Sequence, residues 1–385
     1  MFTLSEALSA VKDKPEFSVN AREFGTVIDY NVAFPTTFKG STDRETLILQ
    51  NLRGTCFDHS GKIIRLCFHK FHNLNENPDY DAKHFNFADP HSIEEKLDGS
   101  MIAPVLFPDG SWAFGTRAGV TDVANKASHL LYNVWFNENP QKYEAYKNLI
   151  DKCLINGGYT PIFEYCSRDQ RIVLDYSEPM LVLTSIRHNA TGVYLNINRT
   201  VISNPRIDII RKVNMAGLSI TELAAQVKGW LGKEGVVIKF DDGRFVKIKA
   251  EDYCLKHRAL DGLRFEKDVL ALVLSNGLDD VLPLVTLEVR DRLVKYQDSV
   301  WKNLTKVKEN IKSSYESILN KSKDKREFAQ NVKSLNCGFD QALFKMWDNN
   351  GQPYDLIAYI LRAKCGSSTD VESIREWIGP SYYNF

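Results

Sequence analysis

The chain has 385 residues, of which 43% are hydrophobic and 25% are charged, and its 49 Lys and Arg residues balance 49 Asp and Glu residues. This composition is typical of a globular protein and excludes a disordered or collagen-like chain. No stretch approaches the roughly 18 consecutive apolar residues of a membrane-spanning helix. The length predicts two domains, or one large domain with an appendage.

The net charge and the cysteine content indicate which partners and which cellular compartment to expect. A net charge of zero excludes a polybasic protein, although a local basic groove stays open. The seven cysteines are widely spaced without a C-x-x-C pair, so neither a disulfide framework nor a zinc ribbon is predicted. Cys67, His69 and His72 lie close in sequence, but only His84 and His91 could complete such a site, and we expect no metal there. The N-terminus has no basic segment followed by an apolar one, so we expect a cytoplasmic protein that does not associate with membranes.

From about residue 24 to 255, apolar or alternating runs flank short polar turns that contain glycine. The clearest turns lie at residues 59–61, 108–110 and 241–243, and each predicts a β-hairpin. Helical segments interrupt the hairpins, notably residues 123–155, which end before two glycines. This mixture predicts an α+β fold rich in antiparallel strands rather than a doubly wound parallel sheet.

After about residue 256 the hydrophobic pattern becomes helical. Leu304, Val307, Ile311, Tyr315 and Ile318 have the spacing of one helix face. We therefore predict two domains, residues 1–255 and an all-helical domain of residues 256–385. Residues 302–333 contain nine Lys and Arg against four Asp and Glu, a net charge of +5. A solvated helix face is favoured for this stretch over a contact with an RNA backbone.

The first candidate for chemistry is the segment of residues 95–100, Glu-Lys-Leu-Asp-Gly-Ser, just before an apolar strand. A covalent role for Lys96 requires a neutral amine and a turn that lets a phosphate approach, and the missing side chain of Gly99 leaves that room. Taken alone, a four-residue pattern of this kind is more often a surface turn.

Further polar residues lie in order within strand-like segments. Glu164 interrupts an aromatic strand, Glu234 precedes an apolar run, and Lys247 and Lys249 alternate so that both amines lie on one strand face. Two cations beside an amine and two carboxylates suit a site for a nucleotide phosphate and a metal. A structural salt-bridge network and a solvated strand face are the alternatives.

These motifs resemble a known group of enzymes. The ordered set K-x-D-G, F-E-Y, E-G-V-V-I-K and K-I-K resembles motifs I, III, IV and V of the covalent nucleotidyltransferases, which include ATP-dependent RNA and DNA ligases and mRNA capping enzymes. Further segments resemble the bacteriophage tRNA-repair RNA ligases, the RNA ligase 1 family. They are residues 29–31 (Asp-Tyr-Asn), 52–54 (Leu-Arg-Gly), 70–78, 171–176 and Tyr253. The resemblance covers roughly residues 25–285.

The resemblance implies a nucleotidyltransferase domain followed by a helical domain that sets RNA preference. It makes Lys96 the nucleophile that takes AMP from ATP, with Mg²⁺ or Mn²⁺ as the metal. Arg53 would lie near the sugar and α-phosphate, Lys70 near the departing pyrophosphate, and Glu164 at the ribose. The implied ATP-binding residues are Tyr30, Arg53, Lys70, Lys96, Gly99, Arg117, Glu164, Lys247 and Lys249. The implied catalytic residues are Lys96, Glu164, Glu234 and Tyr253, and the implied metal ligands are Glu234 and Asp279.

One position departs from the family pattern. Relatives carry a lysine in a Ser-Lys-Gly segment after the nucleophile, whereas this chain has Thr116, Arg117, Ala118 and Gly119. Arg117 keeps the charge but not the shape, so the family's contact need not be preserved there. Asp279 and Asp280 also fit a loop or a helix start.

The sequence therefore predicts an ATP-dependent RNA ligase that joins 5′-phosphate and 3′-hydroxyl ends. The family suggests a cleaved tRNA anticodon loop as substrate, a monomer as the working form, and a host-cell cytoplasm if the source is viral. The alternatives are an mRNA guanylyltransferase, a DNA ligase and a non-catalytic RNA-binding relative. The first two usually carry a five-stranded barrel after the last lysine motif, whereas the pattern of this chain predicts helices there.

Overall fold

The computed structural model describes residues 1–31, 37–38, 43–155, 157–198 and 202–383. The chain divides into two compact units, Met1–Cys254 and Leu255–Phe385. No described helix combines the length and the apolar character needed to cross a membrane.

The first unit is built mainly from short antiparallel strands. The strands are β1 (Phe17–Arg22), β2 (Gly25–Tyr30), β3 (Thr55–Phe57), β4 (Ile63–Arg65), β5 (His91–Lys96), β6 (Ser100–Leu106), β7 (Trp112–Gly115), β8 (Tyr159–Cys166), β9 (Met180–His188), β10 (Gly235–Phe240) and β11 (Phe245–Lys249). They form three sheets with the orders β1-β2-β3-β4, β11-β10-β5 and β7-β6-β8-β9. All pairings between these strands are antiparallel, so the predicted α+β class is confirmed.

The three predicted hairpins are confirmed. The turn at residues 59–61 joins β3 to β4, the turn at 108–110 joins β6 to β7, and the turn at 241–243 joins β10 to β11. Gly61, Gly110 and Gly243 have φ values of +83°, +85° and +93°, which L-residues with a side chain rarely adopt. The glycine in each turn is therefore what allows the chain to reverse there.

The helices of the first unit share apolar cores with strands of all three sheets. They are α1 (Leu4–Val11), α2 (Arg44–Asn51), α3 (Asp122–His129), α4 (Phe136–Glu138), α5 (Pro140–Leu154) and α6 (Ile220–Lys228), and α7 (Glu251–Gly262) contains the boundary between the units. Tyr146 of α5 and Phe163 of β8 are fully buried in one core. Leu223 of α6 packs with Val236 and Val246 of β10 and β11 in another.

The expectation of one helical segment over residues 123–155 was only partly right. A π-helical turn, Leu130–Trp135, separates α3 from α4, and the helix stops at Asn139 before α5 begins. Pro140 has no N–H to donate and disfavours a helical conformation in the preceding residue, so the chain breaks there. Asn139 then caps α5, since its side-chain oxygen accepts a hydrogen bond from the Lys142 amide at 3.2 Å.

The second unit is helical. Its helices are α8 (Glu266–Leu274), α9 (Leu287–Leu319), α10 (Lys325–Leu335), α11 (Asp340–Asp348), α12 (Leu356–Ala363), α13 (Ser368–Glu372) and α14 (Arg375–Ile378), and residues 255–383, all described, contain no strand. The five residues from Leu304 to Ile318 that were predicted to share a face are all buried along α9. The nine Lys and Arg residues between 302 and 333 are all exposed.

Candidate active site

The centre of the site is a buried carboxylate that holds two lysines. In the sheet register Gly235 lies opposite both Lys96 and Lys249, which brings the ends of β5, β10 and β11 together. The Glu234 Oε1 atom lies 2.7 Å from the Lys96 Nζ atom and 3.0 Å from the Lys249 Nζ atom. Glu234 is only 3% exposed. A side chain at Gly235 would collide with the Ile248 carbonyl, 2.0 Å from the Cβ position, so this close approach needs glycine.

Burial and neighbouring charges set the protonation of this centre. Burial lowers the pKa of Lys96, but the charges of Glu234 and Glu164 outweigh it and leave the pKa raised. Burial is the main cause that raises the pKa of Glu164 to about 8; Lys96 opposes this rise, and the charges of Glu234 and Asp98 contribute to it. In the ligand-free site Lys96 is therefore protonated, and Glu164 holds a proton at neutral pH.

A cavity of about 290 Å³ opens beside Lys96. Among its lining residues are six of the predicted ones: Arg53, Lys70, Lys96, Gly99, Glu164 and Lys247. A Cβ atom at Gly99 would lie 2.5 Å from the Tyr165 carbonyl oxygen, so the turn packs directly on β8. A larger adjoining cavity of about 770 Å³ shares Glu94 and Lys239 with it but contains none of the predicted site residues.

Three of the cations that line the smaller cavity form no ion pair within the part of the chain that the structure describes. Among the described residues, Arg53, Lys70 and Lys247 form no ion pair, and the Nε atom of Arg53 is buried without a hydrogen-bond partner. Burial, together with the charges of Lys70, Lys96 and Lys249, lowers the pKa of Lys247 to about 7, against the weaker opposite effect of Glu76. An anionic ligand would stabilise all three cations, so the cavity fits phosphate groups.

Two backbone hydrogen bonds join the Asn-rich segment of residues 70–78 to Lys247. The Leu74 amide donates to the Lys247 carbonyl at 2.9 Å, and the Lys247 amide donates to the His72 carbonyl at 3.1 Å. Glu76 closes the loop, because its carboxylate accepts from the His72 ring at 2.8 Å and from the Asn73 amide at 2.8 Å. This segment therefore positions both Lys70, at its start, and Lys247.

Arg117 and Tyr30 meet at a second cluster and do not line the cavity. The Arg117 guanidinium lies 4.3 Å from the centre of the Tyr30 ring, and its Nε atom lies 3.3 Å from Asp29. Gly54, with φ +69°, packs so closely on Arg117 that a Cβ atom would lie 2.4 Å from the Arg117 carbonyl oxygen. The planar guanidinium stacks on a ring as an ammonium does not, which accounts for arginine at this position.

Tyr253 and Asp279 also lie outside the cavity lining. Tyr253 is buried, and its hydroxyl donates to the Asp98 carboxylate at 2.7 Å. Asp279 is an exposed residue of the second unit, and its role stays a prediction.

Two site residues were not given a role from the sequence. Glu94 and Lys239 form a buried ion pair, 2.6 Å between Oε2 and Nζ, at the wall of the cavity. The sequence pattern could have pointed to both residues, because Glu94 alternates with Lys96 on β5 and Lys239 lies near the end of the apolar run after Glu234. Their pairing across the sheet was not visible in the sequence.

The Cys67, His69 and His72 cluster has other partners. The His69 ring bonds the Tyr194 hydroxyl at 2.9 Å, and burial together with Arg187 and Arg53 lowers its pKa to about 3. Within the described ranges, no three His, Cys, Asp or Glu side chains form a group that could hold a metal ion.

Comparisons with known proteins place the chain among RNA ligases. The sequence model of a family described as RNA ligase matches residues 51–257. A protein of Thermovibrio ammonificans provisionally named an RNA ligase is 26% identical over 363 residues, which cover 87% of this chain and 89% of the relative.

Solved structures give more distant matches. Two forms of an archaeal ATP-dependent RNA ligase match at 17% identity with TM-scores of 0.44 and 0.45, over 68% of this chain and 65% of theirs, slightly less than two thirds of their length. A provisionally named ATP-dependent DNA ligase from Aquifex aeolicus matches at 13% identity with a TM-score of 0.44, over 75% of this chain and 70% of its own.

The depressed pKa of Lys247 predicts a pH-dependent affinity for polyphosphates. Lys247 is charged below pH 7 and loses its charge as the pH rises through about 7, whereas an arginine stays charged. Pyrophosphate binding to the wild type should therefore weaken, relative to Lys247→Arg, by up to about tenfold between pH 7.5 and 8.5.

Calorimetric titrations of both proteins across this range provide the test, since the titration of pyrophosphate itself cancels in the ratio. Lys62→Arg, at an exposed lysine, serves as the matched control and should follow the wild type. Parallel profiles for the wild type and Lys247→Arg would show that Lys247 keeps its charge.

Proposed function

The chain belongs to the RNA ligase family, and we propose that it is an ATP-dependent enzyme that joins 5′-phosphate and 3′-hydroxyl RNA ends through AMP carried on Lys96. One observation carries the proposal. The Lys96 amine is held by the buried Glu234 carboxylate and lines a cavity in which three further cations, Arg53, Lys70 and Lys247, form no ion pair among the described residues, while a fourth, Lys239, is paired with Glu94. A reactive amine beside unpaired cations suits attack on a nucleotide phosphate.

In the first step the neutral Lys96 amine attacks the α-phosphorus of ATP. A nitrogen–phosphorus bond forms, the bond from that phosphorus to the bridging oxygen breaks, and pyrophosphate leaves. The raised pKa of Lys96 means that its proton must depart first. The Glu234 carboxylate, 2.7 Å away, can take that proton or pass it to solvent. If the proton passes to solvent, Lys249 remains 3.0 Å from the carboxylate to neutralise its charge.

The second and third steps move the activated phosphate onto RNA. An oxygen of the RNA 5′-phosphate attacks the α-phosphorus, the bond to Lys96 breaks, and AMP is joined to the RNA end. The 3′-hydroxyl then attacks the RNA 5′-phosphorus and loses its proton to solvent, the phosphodiester forms, and the bond from that phosphorus to the bridging oxygen breaks, so that AMP leaves. These transfers depend on positioning and charge neutralisation, which Arg53, Lys70 and Lys247 would supply.

A divalent cation fits one residue of this site. Mg²⁺ or Mn²⁺ would supply further positive charge against the phosphates when bound. Glu234 is the proposed ligand, because its buried carboxylate already holds two cationic groups and Mg²⁺ usually keeps water and substrate phosphates as its other ligands. Asp279 is proposed as a second ligand from the resemblance alone.

The alternatives within the superfamily have less support. A guanylyltransferase or a DNA ligase usually carries a five-stranded barrel after the last lysine motif, and residues 255–383 contain only helices and loops. A non-catalytic RNA-binding protein would have no need of Lys96 and Glu234 in contact. Nucleotide labelling separates all three.

Incubation with ATP labelled at the α-phosphate should leave label bound covalently to the protein, and labelled GTP should not. Lys96→Ala should lose all covalent label and still fold, since Lys249 remains 3.0 Å from the buried Glu234 carboxylate to satisfy its charge. The control Lys62→Ala, at an exposed lysine of the same unit, should label fully. Label from GTP alone would support a guanylyltransferase, and label from neither nucleotide a binding protein.

We further propose that the natural substrate is a broken tRNA anticodon loop and that the helical unit recognises it. The exposed basic residues between 302 and 333 support a phosphate-contacting surface. α8 and α9 share one core, so truncation within this unit would expose buried residues such as Leu270 and Val273. Substitution on the surface of the full chain is the cleaner test.

Replacing Lys302, Lys306 and Lys312 together by Gln should leave self-adenylylation unchanged. It should reduce, several-fold, the preference for a nicked tRNA stem–loop over plain single-stranded RNA, because shape is read by extended surfaces. The control replaces three exposed lysines of the first unit by Gln, Lys12, Lys62 and Lys152. An unchanged ratio of ligation rates would make the basic stretch of α9 an ordinary solvated face.

A further inference from the structure

Asp98, two residues after Lys96, is held by four hydrogen bonds from distant parts of the chain. Its Oδ2 atom accepts from the amides of Val173 and Leu174 at 2.8 and 2.6 Å. Its Oδ1 atom accepts from the Tyr253 hydroxyl at 2.7 Å. Its own amide donates to the Tyr176 hydroxyl oxygen at 3.0 Å. Asp98 is 3% exposed, so these bonds are shielded from water.

This arrangement fixes the base of the Lys96 side chain. A lysine side chain has several rotatable bonds, and Glu234 restrains only its tip. The backbone that follows Lys96 is restrained at two points. Gly99 packs on β8, and Asp98, between Lys96 and Gly99, is held by its hydrogen bonds. The amine can therefore keep one position only if both ends of the side chain are held.

Tyr176 accepts the one hydrogen bond of this set that comes from the Asp98 backbone. Neither Tyr176 nor Asp98 lines the cavity, so neither is in place to touch a nucleotide there. The segment of residues 171–176 was singled out in the sequence only as a resemblance. Its contacts give it a physical task, since three of the four bonds to Asp98 come from it.

We propose that Tyr176 is a positioning residue for the adenylylation step, which acts through Asp98 on the turn that carries Lys96. This proposal rests on the proposed function. Loss of the Tyr176 hydroxyl leaves the buried Asp98 amide without its acceptor, and the turn must then move to find another. Lys96 forms and breaks a bond in the first two steps only, so the third step should be insensitive to its exact position.

The test compares two reactions of the full chain. In single-turnover self-adenylylation, Tyr176→Phe should be about tenfold slower than the wild type, with unchanged affinity for ATP. In the sealing of RNA that already carries AMP on its 5′ end, the same variant should match the wild type within twofold. Tyr296→Phe is the matched control, because it removes a hydroxyl that bonds the Glu266 carboxylate at 2.9 Å in the second unit, and it should change neither rate.

The double variant Tyr176→Phe, Tyr253→Phe adds a test of the route. If both hydroxyls act through Asp98, the double variant should be less impaired than the product of the two single effects. Equal loss of adenylylation and sealing, or wild-type adenylylation by Tyr176→Phe, would overturn the proposal. A wild-type protein that never takes up AMP would instead contradict the proposed function.

Discussion

The contact between Lys96 and the buried carboxylate of Glu234 is the interaction on which the rest of the site depends. A carboxylate that is 3% exposed is costly to bury unless cations satisfy it, and Lys96 and Lys249 do so at 2.7 and 3.0 Å. This requirement brings the ends of β5, β10 and β11 together. It also explains Gly235, which allows this close approach.

The remaining charges are arranged for a ligand rather than for stability. Arg53, Lys70 and Lys247 line one small cavity, and the depressed pKa of Lys247 reflects burial together with the charges of Lys70, Lys96 and Lys249. The free energy of unfolding would be higher if these cations were paired, a loss of stability that the proposed binding of phosphates would explain. The segment of residues 70–78 and the four hydrogen bonds of Asp98 supply the rigidity that such a site requires.

Local features of the sequence predicted much of the fold. Turn glycines such as Gly110 and the periodic apolar positions of α9 depend only on near neighbours, so hairpins and helix faces could be inferred. The break at Pro140 was equally local and was overlooked. The contacts that make the site are long-range, as between Tyr253 and Asp98, 155 residues apart, and spacing alone cannot show them. The order of motifs indicated which residues to expect at the nucleotide, but not that Tyr253 contacts Asp98 and Arg117 stacks on Tyr30.

The identity of the atom that carries AMP decides the mechanism. The direct measurement is peptide mass spectrometry of the full-length protein after incubation with ATP and Mg²⁺, followed by digestion under conditions that preserve nitrogen–phosphorus bonds. The predicted result is a single AMP adduct on Lys96. An adduct on Lys247, Lys249 or any other residue, or an AMP-free protein that still ligates RNA with ATP, would contradict the central role of the Lys96 and Glu234 pair.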